Sequence, residues 1–270
     1  MNTIEELSEL AAALSKGSQA TIQLESSGDE IEFISKNIIS PVPATELQTF
    51  VDATLEYHSQ FTSLSLGFAV PAMAAAQLIP ADATNSIPYI NTREQFICGH
   101  DIDDILRSTQ LEAALKLQLW AGYISALLSL YTGENRATIA VDAKPANFMF
   151  AAGQFYYIDF FPPLLRDEAG LITPFHTEIF KRDIYLMSFN FGDMRGILTK
   201  VLALTRIDYP DLSEVLIQQA LSVLENRLSV ADQLFVYVNE QVQTGFQDMN
   251  IFYASDEAAA RSRLLELLRL

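Results

Sequence analysis

Ile139-Ala-Val-Asp-Ala-Lys-Pro-Ala-Asn-Phe148, followed by Tyr157-Ile-Asp-Phe160, is the stretch on which the reading of this chain turns. It sets Asp142, Lys144 and Asn147 in one loop, with Asp159 twelve residues after Asn147. Between them, Phe148-Met-Phe150 and Phe155-Tyr-Tyr-Ile158 flank Ala-Ala-Gly-Gln, which predicts a β-hairpin with a glycine-containing turn. Such a hairpin returns the chain so that Asp159 lands beside Asn147. A base candidate, a cation, an amide oxygen and a second carboxylate then converge on one spot.

These residue types suit phosphoryl transfer, which asks a protein to place the nucleophile in line and to neutralise charge on the moving group. An Asp can orient an attacking hydroxyl and take its proton. A Lys two residues on can sit against the transferred phosphoryl. Asn and Asp oxygens are hard ligands suited to Mg²⁺. The loop resembles the catalytic loop of the protein-kinase-like superfamily, H-R-D-x-K-P-x-N, through Asp142, Lys144, Pro145 and Asn147. Asp159-Phe160-Phe161 resembles the D-F-G element, with Phe161 in the place of its glycine.

The departures narrow the resemblance. Ala140 and Val141 stand where His and Arg belong, and no A-P-E element follows Phe161-Pro-Pro163. Phe161 also lacks the freedom of a glycine at φ > 0. A protein kinase switched by phosphorylation of its activation loop is therefore not expected. The pattern is closer to the small-molecule branch, similar to aminoglycoside and choline phosphotransferases, or to a degenerate member. No G-x-G-x-x-G phosphate loop is present, and Lys16-Gly-Ser18 is only a faint substitute.

A length of 270 residues suits one large domain or two intimately packed lobes. Half the residues are hydrophobic and 19 % are charged, which argues against disorder. A net charge of −17 with no basic stripe disfavours nucleic acid as a partner. The single cysteine, Cys98, allows no intramolecular disulfide. Three scattered histidines (58, 100, 176) have no zinc-ligand spacing. The first residues are acidic where a signal peptide is basic, and the most apolar run, Leu186 to Leu204, is interrupted by Asp193, Arg195 and Lys200. A cytoplasmic protein without a membrane span is the expectation.

Along the chain, residues 4–14 have helical spacing. Thr21–Glu25 and Glu30–Ile34 alternate around Ser26-Ser-Gly-Asp29, a hairpin signal. Pro41 and Pro43 break the chain, a helix runs on to Phe61, and short strands follow over 68–98. Glu94–Cys98 reads as a strand leading through Gly99 into the acidic helix start Asp101–Leu106. Thr109 to Tyr131 reads as one long buried helix ending at Gly133. Residues 164–178 read as a loop, and Asp183 opens a helix. Further helices are expected over 211–228, 230–242 and 256–270; the last reads first as a helix packed on its own lobe, and otherwise as a candidate docking or dimer element for a homo-oligomer or a protein partner.

The resemblance implies an α+β, bilobal, protein-kinase-like fold, with a reduced β-rich N-lobe at about 1–98 and a mainly helical C-lobe at 99–270. It implies an ATP- and Mg²⁺-dependent phosphotransferase acting on a hydroxyl of a small molecule. Asp142 and Lys144 are its catalytic residues, and Asn147 and Asp159 its metal ligands. Lys36 holds the α- and β-phosphates, with Glu56 or Glu46 as its acidic partner. Backbone groups of Ile97, Cys98 and Gly99 meet the adenine. Asp183 resembles the Asp that braces the catalytic loop, but a plain helix-start carboxylate is the preferred reading of it. Two other readings stand beside this one: a pseudokinase acting as a nucleotide-binding or protein-interaction scaffold, and nucleotidyl transfer on the same scaffold.

Overall fold

The computed structural model describes residues 20–27, 30–38, 45–81, 87–132, 139–172, 183–254 and 256–269. The expected helix over 4–14, Lys16-Gly-Ser18, Gly28, Asp29, Pro41, Pro43, Gly133, His176 and the loop residues 173–178 lie outside them. The chain divides into two compact units. The first takes residues 1–62, 70–98 and 160–163, and the second takes 63–69, 99–159 and 164–270. The organisation is α+β: an antiparallel sheet with a helix in the first unit, and a mainly helical second unit.

In the first unit β1 (Ala20–Ser27) and β2 (Glu30–Ile38) form the expected hairpin, with a register shift at Glu25/Ser26. The helix α1 (Leu47–Thr62) follows, then β3 (Met73–Ile79) and β4 (Tyr89–Gln95). The sheet order is β1-β2-β4-β3, antiparallel throughout. Side chains alternate across a strand, so Ile90, Thr92 and Glu94 share the buried face of β4. Leu47, Phe50, Val51, Thr54, Tyr57 and Phe61 form one buried stripe of α1. Phe160 packs its ring against Tyr57, His58 and Phe61, and Phe161 packs against Phe50 at 5.0 Å. Phe161 is not among the non-glycine residues with positive φ, so its backbone makes no demand for glycine.

The second unit holds a small sheet of β5 (His100–Asp101), β6 (Phe148–Ala151) and β7 (Gln154–Tyr157), in the order β5-β6-β7. Ala69 joins it by pairing with Tyr156. The β6–β7 turn carries Ala152 and Gly153 at φ 49° and 82°, the left-handed pair that a two-residue hairpin loop uses. Around it lie α2 (Ile102–Arg107), α3 (Ala113–Leu128), α4 (Ile184–Gly192), α5 (Met194–Asp208), α6 (Ser213–Arg227), α7 (Gln233–Gln243), α8 (Gln247–Phe252) and α9 (Glu257–Leu268).

One helix differs from the sequence expectation, and two others show how the apolar runs of the chain are divided and packed. The helix predicted over 109–131 spans only 113–128, and its first turns lie at the surface, with Leu115 exposed. Burial begins at Trp120, whose indole N–H donates to the Leu216 carbonyl at 2.7 Å. The apolar run 186–204 is two helices, α4 and α5, because Asp193 turns out of helical geometry and caps α5 by accepting from the Arg195 N–H. The apolar stripe of α9, Ala260, Leu264 and Leu267, is buried, and α9 packs on α4 and α8 of its own unit. Among the described residues no helix is long and apolar enough to cross a membrane.

The junction of α4 and α5 depends on Gly196. A Cβ there would stand 2.1 Å from the Phe189 carbonyl oxygen and 2.7 Å from its ring. Backbone cannot yield as a side-chain tip does. Gly196→Ala is therefore expected to destabilise the fold by about 1–3 kcal/mol, the range of forced overpacking. Urea unfolding should show a lower midpoint with an unchanged slope.

Candidate active site

Loop 139–147 has no regular hydrogen-bond ladder of its own, so neighbouring elements hold it. The Val141 N–H donates to the Phe191 carbonyl of α4 at 2.7 Å. The Tyr123 hydroxyl of α3 donates to the Ala143 carbonyl. Burial pushes that phenol well above its ordinary pKa, so it stays a donor. The Asp142 N–H donates to the Tyr157 hydroxyl at 3.4 Å. Pro145 then opens a single 3₁₀ turn, Pro145–Asn147, where its missing N–H costs nothing.

The hairpin closes the site. Phe148 pairs with Tyr157, and the Ile158 N–H donates to the Asn147 carbonyl at 3.0 Å. Asp159 follows directly. The Asn147 Nδ2 donates both to the Asp142 carbonyl, at 2.9 Å, and to Asp159 Oδ2, at 3.1 Å. One amide thus ties the loop to the strand end. Asn147 and Asp159 present neighbouring hard oxygens, a donor set that fits Mg²⁺.

Asp142 carries an ion pair on each carboxylate oxygen. Lys200 Nζ of α5 lies 3.0 Å from Oδ1, and Lys144 Nζ lies 3.0 Å from Oδ2. Burial alone would raise the Asp142 pKa, but the charges of Lys200 and Lys144 and their hydrogen bonds outweigh it and hold the carboxyl below its ordinary value. The two lysines differ in setting. The Lys144 side chain is 52 % exposed, whereas that of Lys200 is 12 % exposed and has its ammonium 3.9 Å from the centre of the Phe191 ring.

The structure brings together Asp142, Lys144, Asn147 and Asp159, and adds Lys200, which sequence reasoning missed. A signal for it existed: a lysine inside an apolar helical run must find a carboxylate if it is buried. The other expected residues lie largely in the first unit. Lys36 Nζ is 2.8 Å from Glu94 Oε2, and the Thr92 hydroxyl donates to Glu94 Oε1 at 3.0 Å. Glu94 takes the place that the sequence analysis assigned to Glu56 or Glu46, both of which are exposed. The reason is register: Lys36 pairs with Thr92, so Glu94 is its diagonal neighbour across β2 and β4.

Ile97 is buried and Cys98 exposed. Gly99, in the second unit, has a packing reason of its own, because a Cβ there would meet the Phe150 carbonyl oxygen at 2.5 Å. Asp183 accepts from the Tyr185 and Leu186 N–H groups as the N-cap of α4. The acidic start of α2 is likewise locally satisfied: Asp101 accepts from the Asp104 N–H at 2.7 Å, and Asp103 takes the Arg107 guanidinium and the Tyr209 hydroxyl. Burial pushes the Asp101 carboxyl up to about 6.

No protein-family model matches the chain, and no curated protein does. Among solved structures, the chain is similar to WaaP in its complex with acyl carrier protein: 12 % identity, 93 % of this chain and 85 % of that one covered, TM-score 0.42. It is similar to the PknI kinase domain of Mycobacterium tuberculosis: 13 % identity, 84 % and 96 % covered, TM-score 0.39. It is also similar to PAN3 of Neurospora crassa (pseudokinase and C-terminal regions, in complex with PAN2): 10 % identity, 93 % and 63 % covered, TM-score 0.43.

Proposed function

We propose that the chain is an ATP- and Mg²⁺-dependent phosphotransferase acting on a hydroxyl of a small molecule. The observation that carries the reading is the double hydrogen bond of Asn147, which joins the loop of Asp142 to the carboxylate of Asp159. A base candidate and two hard oxygen ligands share one rigid amide, an arrangement for which a merely solvated turn has no need.

In this reading Asp142 orients the acceptor hydroxyl and takes its proton. The hydroxyl oxygen forms its bond to the terminal phosphorus as the bond from that phosphorus to the bridging oxygen breaks. The bridging oxygen leaves with the electron pair on the nucleoside diphosphate. Lys144 faces the phosphoryl oxygens, and Lys36, fixed by Glu94, serves the α- and β-phosphates. Mg²⁺ held by Asn147 and Asp159 supplies neutralisation of phosphate charge. The pairing of Lys36 with a glutamate of the adjoining strand places both partners in the sheet. Lys36 therefore needs no movement of α1 to be aligned, which favours a constitutive site over a switched one.

The pseudokinase alternative, a nucleotide-binding or interaction scaffold, draws on the missing glycine-rich phosphate loop, His and D-F-G glycine, and on the double lysine clamp that occupies both oxygens of Asp142. One experiment separates a working nucleotide site from a pure interaction scaffold, and turnover then separates the phosphotransferase from a nucleotide-binding pseudokinase. Ligand that binds only the folded state raises the unfolding midpoint. Thermal unfolding with ATP, ADP and GTP, each with and without Mg²⁺, is expected to show a Mg²⁺-dependent rise in the wild type that Asp159→Ala loses. No shift at millimolar nucleotide would defeat the phosphotransferase reading and leave the scaffold.

A further inference from the structure

Both oxygens of Asp142 are covered, yet an acceptor hydroxyl needs one of them. The two lysines are not equivalent in how they could release it. Lys144 stands on the loop itself, two residues from Asp142, with half its side chain in solvent. A lysine side chain with half its length in solvent can exchange a carboxylate partner for water. Lys200 comes from α5, fifty-eight residues along the chain. Its stem is buried, and its ammonium lies over the Phe191 ring. The same Phe191 gives its carbonyl to the Val141 N–H, one residue before Asp142. Phe191 and Lys200 thus grip the loop at successive residues, one through the backbone and one through the side chain.

We infer that Lys200 is a positioning residue, which anchors Asp142 through Oδ1 while Lys144 swings away from Oδ2 to uncover the oxygen that meets the acceptor hydroxyl. The inference rests on the reading of Asp142 as the group that takes the acceptor's proton. It divides the labour of two lysines that sequence spacing cannot rank. Lys144 is the moving cation, and Lys200 the fixed one. Displacement of Asp142 by about 1 Å is enough to slow a reaction that depends on placement by roughly a hundredfold.

Two readouts test it. In the first, the melting midpoints of Asp142→Asn, Lys200→Met, Lys144→Met and the two double variants containing Asp142→Asn are compared. Residues in one contact network are non-additive, whereas independent ones add. Asp142→Asn with Lys200→Met is expected to melt no lower than the worse of its two parents. Asp142→Asn with Lys144→Met is expected to depart less from additivity, because Lys144 also contacts Asp142 but keeps half its side chain in solvent. Additivity in the Lys200 pair would overturn the anchoring. In the second readout, hydrolysis of Mg²⁺-ATP, with water as acceptor, is followed in Lys200→Met and Lys200→Arg. Lys200→Met is expected to lose roughly 10- to 100-fold in kcat with KM for ATP nearly unchanged, and Lys200→Arg to recover most of it. A Lys200→Met protein that melts lower but turns over at the wild-type kcat would show a merely structural lysine and overturn the proposal. A wild type with no Mg²⁺-dependent nucleotide shift would instead sink the phosphotransferase reading and the catalytic half of this inference with it, while the melting cycle would still decide whether Lys200 holds Asp142.

Discussion

Asp142→Asn is expected to lower phosphotransfer by roughly 10²–10⁴-fold, the usual worth of a positioned general base, while Mg²⁺-nucleotide binding survives. Asparagine keeps the shape of the side chain and can still accept from one lysine. It cannot take a proton, and it leaves the charges of Lys144 and Lys200 without the carboxylate between them. The same change has a signature in stability. The folded-state pKa of Asp142 lies below its ordinary 3.8. A lowered carboxyl pKa contributes stability that is present above the unfolded value and is lost as pH falls through the folded one. The wild type should therefore lose this contribution on acidification below about pH 4, and Asp142→Asn should lack that part of the acid limb. Single-turnover assays, nucleotide thermal shifts and melts from pH 7 down to pH 3 measure the three quantities on the same variant. Equal loss of turnover and nucleotide binding in both Asp142→Asn and Asp159→Ala, with folding intact, would contradict the separate roles given to the two carboxylates.

The parts of this site that were readable in the sequence are those whose geometry is local. Phe148–Phe150 and Phe155–Ile158 on either side of a glycine-containing turn read as a hairpin, and the structure narrows that turn to Ala152-Gly153, so that Phe148 faces Tyr157. The closeness of Asn147 and Asp159 follows from that register alone. The first-unit hairpin, the stripe of α1 and the helix starts at Asp101 and Asp183 were legible for the same reason. What escaped was set by tertiary packing. Nothing near Lys36 says that β4 will lie beside β2, so its neighbour Glu94 could not be chosen over the glutamates of the following helix. Lys200 reaches Asp142 only because α4 and α5 bend at Asp193 and close on Gly196. Leu111 and Leu115 continued an apolar period, yet the first turns of α3 are at the surface. Periodicity reports which face is apolar, not how far along the helix burial extends.

The largest stability effect is expected at Asp248→Ala. Asp248 is buried in α8, where four donors meet one carboxylate. Oδ2 accepts from the Tyr237 hydroxyl at 2.7 Å, from Gln241 Nε2 at 3.1 Å and from Arg263 Nη2 at 3.1 Å, while Oδ1 accepts from Arg263 Nε at 2.9 Å. The Asp248 N–H in turn donates to Gln241 Oε1 at 3.0 Å, so the two side chains hold each other's backbone and amide groups. The network joins α7, α8 and α9, and its position on the sequence, just past the left-handed Gly245-Phe246 turn, makes it the clasp of the C-terminal helices. Removal of Asp248 strips the buried Tyr237 hydroxyl and Gln241 amide of their acceptor, at a cost of about 1–3 kcal/mol for each buried group left unpaired. Arg263, one-third exposed, keeps its ion pair with Glu266, so the loss comes chiefly from the phenol and the amide. Arg263→Met should cost less, because its side chain is about one-third exposed and the Asp248 carboxylate keeps Tyr237 and Gln241. The comparison is decisive for the argument. If the clasp works through the carboxylate, Asp248→Ala lowers the urea midpoint well beyond Arg263→Met, and the double variant adds little to Asp248→Ala alone. Equal effects in the two single variants would mean that the ion pair, and not the four-donor carboxylate, holds these helices together.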